Sequence, residues 1–138
     1  MDNLSNSMIC HELARVTRKY CFNNLPKASE EGGFNFPWNP ETVPDFRIIL
    51  PRNSQIYAIS VCIVPGINFT PYSDLRSDIY RNNIDLDTID WIVYETTMID
   101  YNGDIIDNFY GDDRTKKFLS ISELLEEIVN VKNKVIDK

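Results

Sequence analysis

The sequence predicts an α+β fold: a single domain with an antiparallel β-sheet of about four strands and N-terminal and C-terminal helices packed on it. Three observations carry this reading. Apolar residues recur at helical spacing near both ends of the chain, and β-branched and aromatic runs fill the middle. Two of the gaps between those runs hold turn signals, Pro51–Ser54 and Asn102-Gly103. At 138 residues the chain is the size of one domain, so residues 1–138 are treated as one unit.

Each element has its own justification. Ile9, Leu13, Val16 and Tyr20 define an apolar helical stripe over 7–22, with Glu12, Arg15, Arg18 and Lys19 largely opposite. Residues 23–45 hold Pro26, Pro37, Pro40, Pro44 and Gly32-Gly33, which forbid regular helix and central strand alike. Phe34, Phe36 and Trp38 make this segment too aromatic for a free linker, so it should be a long ordered loop packed across the body. "FRIIL" and "QIYAISVCIV" read as an antiparallel strand pair. Beyond them Ser73 caps an expected short helix carrying Leu75, Ile79 and Tyr80. "DWIVYETTMIDY" and "DIIDNFY" are the next two expected strands. Ser120 and Glu123 form a capping box for the closing helix, whose stripe is Ile121, Leu124, Leu125, Ile128 and Val135.

The stretch "MIDYNGDIIDNFYGDD" supports two chemistries, a calcium loop or a hairpin turn. A calcium loop starting at Asp100 would place Asn102 and Asp104 at ligand positions. It would then need glycine where Ile105 stands and a bidentate glutamate where Gly111 stands. Asn102-Gly103 instead suits a type I′ turn between two β-rich segments. That turn pairs Tyr101 with Asp104, Ile99 with Ile106 and Met98 with Asp107. Trp91, Val93, Ile99, Ile106 and Tyr110 then share one face, and Ile92, Tyr94, Met98, Ile105 and Phe109 the other. Both faces are substantially apolar, so the second should be covered by the 23–45 loop or by a partner.

Charge narrows the function classes. The net charge is −7, which disfavours direct nucleic-acid binding and favours a basic protein partner. No lysine or arginine lies between Arg81 and Arg114, while Asp85, Asp87, Asp90, Glu95, Asp100, Asp104, Asp107, Asp112 and Asp113 do. Such a run serves either as a solvated edge that resists aggregation or as an acidic docking surface. The N-terminus has neither a basic leader nor an apolar core, and no apolar run has membrane-spanning length, so a cytoplasmic protein with no membrane partner is expected. The composition bias, rich in isoleucine and asparagine with three alanines, follows AT-rich codons and fits a virus, phage or low-GC bacterium.

Catalytic constellations are thin. His11 is the one histidine, and its helix neighbour Cys10 points about 100° away from it. Cys10, Cys21 and Cys62 read as free, small core residues; they lack the Cys-x-x-Cys spacing of a zinc site. Carboxylate pairs such as Asp112-Asp113 and Glu30-Glu31 are weak signals in so acidic a chain, and no phosphate loop or nucleophile elbow is present. The expectation is therefore a non-enzymatic interaction protein, needing no cofactor and no metal. It would be an inhibitor or antagonist docking on a basic protein, such as a nucleic-acid-binding protein or nuclease, with its carboxylates standing in for phosphates. Phage anti-defence and toxin-immunity proteins are comparable in type, being small, acidic and catalytically empty. The expected binding surface is Asp100, Asp104, Asp107, Asp112 and Asp113 with the aromatics Trp38, Phe36 and Phe109. The alternatives are a small enzyme using His11 with a carboxylate or thiol, and a ligand-binding module using the aromatic loop.

Overall fold

The computed structural model of the protein describes residues 6–37, 45–66, 86, 89 and 92–136. In chain order these form α1 (Asn6–Asn24), β1 (Asp45–Ile49), β2 (Ala58–Pro65), β3 (Ile92–Ile99), β4 (Thr115–Phe118) and α2 (Ile121–Val135). The four strands make one antiparallel meander in the order β1-β2-β3-β4. This is the α+β architecture that the periodicities predict. The expected short helix after Ser73, together with Trp38, Trp91, Asp85, Asp87 and Asp90, lies outside the described residues.

Strand alternation fixes which face is inside. The pairs Phe46↔Val61, Ile48↔Ile59, Ile59↔Met98, Ile63↔Tyr94 and Tyr94↔Phe118 line up one continuous apolar face. These side chains share one buried core with Ile9 and Leu13 of α1 and with Ile121, Leu124, Ile128 and Val131 of α2. Each fully buried Ile or Leu contributes roughly 1.5–3 kcal/mol relative to exposure. On the opposite face the row Arg47–Ser60–Thr97–Thr115 is half-buried or exposed, while Ala58 and Ile99 are buried.

Helix α2 starts where the capping box places it. Ser120 is extended (φ −136°) and its hydroxyl accepts from the Glu123 N–H at 3.1 Å. In α1 the apolar stripe is rotated from its expected centre. Ala14, Thr17, Arg18 and Cys21 are buried, whereas Val16 and Tyr20 are only partly so. Arg18 therefore leaves the solvent face assigned to it, and burial pulls its guanidinium pKa down. Cys21 is a core thiol, while Cys10 and Cys62 are half-buried; all three are free.

Two expectations about the later strands are corrected. The segment "DIIDNFY" is no regular strand. It makes one bridge to β3, Ile99↔Ile105, and then turns, with Tyr110 bridged to Asp113. The strand beside β3 is instead Thr115–Phe118, reached after the tight turn Tyr110–Asp113, where Gly111 takes φ 74°. The Asn102-Gly103 turn also has a different register. Asp100 N–H donates to Asp104 O (2.9 Å) and Gly103 N–H to Asp100 O (3.0 Å), with Gly103 at φ 86°. That is a three-residue loop closed by a glycine bulge, not the two-residue type I′ turn. One residue of slip exchanges the faces of everything that follows. Ile105 is thus outward and 45% exposed, while Ile106 packs against the core.

The proline-aromatic loop does not cross the second sheet face within its described residues. Asn35 exchanges both backbone hydrogen bonds with Ile49 (3.0 and 2.9 Å), extending the sheet by one bridge beyond β1. That pairing aims Phe34 and Phe36 into the core, and Pro37, lacking an N–H, cannot donate to continue it.

Candidate interaction surface at the loop end of the sheet

The register gathers several loops at one end of the molecule. The β3–β4 ladder stops at Thr97↔Thr115, and the β2–β3 ladder at Ala58↔Ile99. Residues 100–114 therefore lie beyond the last strand row, together with residues 50–57 and the Asn35 bridge. Five carboxylates stand in this span: Asp100, Asp104, Asp107, Asp112 and Asp113.

They are not equivalent. Asp100 is half-buried, and its Oδ1 accepts from the N–H groups of Asn102 and Asp104, both at 2.9 Å. It holds its own loop, as an aspartate does in an Asx turn. Asp107 pairs with Arg114 at 2.8 Å, both exposed. Asp104, Asp112 and Asp113 are exposed, and among the described residues no cation pairs with them. The acidic end is bounded by base: Lys116 Nζ sits 5.5 Å from the Phe118 ring centre, and Lys134 Nζ sits 4.8 Å from that of Phe109.

The expected aromatics fare unequally as surface. Phe36 is only 8% exposed and packs edge-on to Phe22 at 5.3 Å, so it is mainly core. Phe109 is half-buried between Tyr110 (5.1 Å) and Lys134. Tyr110 anchors this turn through a 2.9 Å hydrogen bond between its hydroxyl and Thr96 Oγ1; burial raises its pKa.

Two aromatics that sequence reasoning missed are the most exposed at this end. Tyr57 (36% exposed) and Tyr101 (57%) meet edge-to-face at 5.7 Å. The Tyr101 hydroxyl donates to Ser54 O at 2.7 Å, which fixes the ring across 47 residues of chain. Beside them opens a cleft of about 570 Å³, within the usual range for ligand sites. Its lining includes Glu30, Gly33, Asn35, Arg52, Tyr57 and Tyr101. No local pattern advertises this pairing; strand register and the Tyr101 hydroxyl bond to Ser54 O bring Tyr57 and Tyr101 together.

The thiols are poor nucleophiles as placed. Burial pushes Cys21 up to about 12, and it also raises Cys10 and Cys62. His11 is half-buried on α1. Among the described residues no group of three histidine, cysteine or carboxylate side chains could hold a metal ion, and no helix is long and apolar enough to cross a membrane. No protein-family model, curated protein sequence or solved structure matches this chain.

Proposed function

We propose that the protein is a non-enzymatic interaction protein, an inhibitor or antagonist that docks on a basic protein through the loop end of its sheet. One observation carries the reading: carboxylates without described partners at Asp104, Asp112 and Asp113 share this end with the exposed Tyr57, Tyr101 and Ile105. Exposed carboxylates steer a basic partner from a distance, while tyrosines and aliphatic side chains supply contact area that excludes water. The raised thiol pKa values weigh against the enzyme alternative built on a cysteine nucleophile. A basic nucleic-acid-binding groove is one surface these carboxylates suit, in the place of phosphates.

Affinity purification of the tagged protein from its native host tests this. The expected result is a stoichiometric basic protein, lost on reversing the charges of Asp104, Asp112 and Asp113. A stoichiometric partner that is acidic, or one whose binding ignores the reversal, contradicts it. The cleft favours a second reading, a small-ligand module, which a thermal-shift screen against metabolites would reveal as a saturable rise in Tm.

A further inference from the structure

We infer that an extended segment of the docking partner adds to the free edge of β4, placing a basic side chain in the groove between β4 and α2. The inference rests on the docking reading and names the contact that the partner makes. Among the described residues β4 is an edge strand, paired with β3 alone. Bonding direction alternates along an antiparallel pair. Met98 O accepts from Ile106 N–H on the β4 side of β3, and Ile99 O from Tyr57 N–H on the β2 side. Thr96 and Tyr94 therefore bond to Lys116 and Phe118, which leaves the N–H and C=O groups of Thr115 and Lys117 turned outward. No described residue bonds to those outward groups. Such a row is a template for strand addition.

The groove beside this edge selects the charge of the occupant. It holds about 220 Å³ and is lined by Lys116 and Phe118 of β4 and by Glu123, Glu126, Glu127 and Asn130 of α2. The four helical residues fall at i, i+3, i+4 and i+7, so α2 turns one stripe towards the strand. Every second side chain of an incoming strand points to that stripe. Three carboxylates there meet one ammonium, and Lys116 already sits 5.8 Å from the Tyr110 ring centre and 5.5 Å from that of Phe118. Lys134, one turn beyond Asn130, lies over the Phe109 ring at 4.8 Å; even counting it, carboxylates outnumber cations. The other face adds no positive surplus, since Lys117 stands opposite Glu95 in the ladder and Arg114 pairs with Asp107 at 2.8 Å. A second copy of this chain is disfavoured, because antiparallel addition through the same edge brings Lys116 and Lys117 of both chains together. Leu119, 66% exposed beside the edge, offers apolar contact to the added strand. The edge also follows directly on the turn that carries Asp112 and Asp113, so steering and strand addition share one approach.

The test needs no identified partner. The 15N-labelled protein is titrated at about 0.15 M salt with the capped hexapeptide Thr-Lys-Thr-Lys-Thr-Lys and with its counterpart Thr-Glu-Thr-Glu-Thr-Glu. Expected are saturable amide shifts centred on 115–119 and 123–130, with at least fivefold weaker binding of the glutamate peptide. At saturation the Thr115 and Lys117 amides should exchange at least threefold more slowly, because the added strand bonds them. The double variant E123Q/E126Q, at two exposed positions, should weaken the lysine peptide at least threefold. K117P, which removes an outward N–H at an edge position where proline is tolerated, should do the same. Shifts centred on 100–113, unchanged exchange at Thr115 and Lys117, equal binding of the two peptides, or no saturable response overturns the inference. Reversal of Asp104, Asp112 and Asp113 leaves the groove lining intact and should change peptide binding by less than threefold. A responding edge with no basic partner on purification sinks the docking reading alone. A basic partner lost on that reversal, with a silent edge, sinks this inference alone.

Discussion

Gly33→Ala is the substitution the fold should tolerate least for its size. A β-carbon at Gly33 would lie 1.7 Å from Lys27 O and 2.4 Å from its carbonyl carbon, both backbone atoms. The carbonyl must therefore retreat by roughly 1 Å or more to reach van der Waals contact. Retreat breaks the hydrogen bond it accepts from Glu30 N–H and strains the Phe34 N–H bond to Pro26 O, each 2.8 Å. Two such bonds amount to about 2 kcal/mol net. Phe34 is 1% exposed at this closure, so partial release of its ring adds about 1 kcal/mol. The expected loss is about 2–4 kcal/mol, or a Tm lower by about 6–15 °C for a chain of this length. Gly103→Ala is the control. Gly103 has φ 86° but nothing within 4 Å of its would-be β-carbon, so only the backbone conformation resists, at about 1–2 kcal/mol. Urea unfolding followed by circular dichroism measures both. A Gly33→Ala loss below about 1 kcal/mol, or one no larger than that of Gly103→Ala, refutes the reasoning.

Other outcomes follow from single groups. Ser120→Ala removes the acceptor for Glu123 N–H and should cost about 1 kcal/mol in the same unfolding assay. Thr17→Val should be neutral or stabilising, because the Thr17 hydroxyl is buried with no described partner; a loss above about 1 kcal/mol would reveal one. Tyr110→Phe should cost about 1 kcal/mol through the bond to Thr96 and raise amide exchange in 107–113. The Cys21 thiol has a folded pKa raised from 9.0 to about 12, so the folded state favours its protonated form. Its contribution is complete below pH 9 and declines as pH rises toward 12, with a slope approaching about 1.4 kcal/mol per pH unit. Cys21→Ser should flatten that alkaline decline when unfolding free energy is measured against pH.

Much of the fold is legible in the sequence because its signals are local. The Ser120 cap, the α2 stripe, and the alternation in β1, β2 and the even positions of β3 all reappear in the structure. The failures have physical causes. Strand β4 reads Thr-Lys-Lys-Phe, too short and charged to signal a strand, and what makes it one is the register Tyr94↔Phe118. "DIIDNFY" has strand composition, but Gly103 takes the bulge and Asp107 is drawn to Arg114, so pairing with β3 ends after one bridge. Arg18 looked like a solvent residue because helical stripes are read by type, whereas the buried arc of α1 is set by what packs on it. Of the candidate site, the acidic loop was visible as a run without bases. The tyrosine pair was not, since its members are far apart in sequence and are brought together by sheet register and by the Tyr101 bond to Ser54 O.

The most direct test of the acidic docking end is the association rate of the purified complex as a function of salt. At about 0.15 M salt exposed charges are screened beyond roughly 8 Å, so steering by Asp104, Asp112 and Asp113 should fade as salt rises. Asp107 belongs less in this set, since Arg114 already neutralises it. The account predicts an association rate that falls at least tenfold between about 0.02 and 0.5 M salt, with the dissociation rate changing far less. Reversing the three aspartates should abolish that salt dependence. An association rate indifferent both to salt and to the triple reversal would contradict the account.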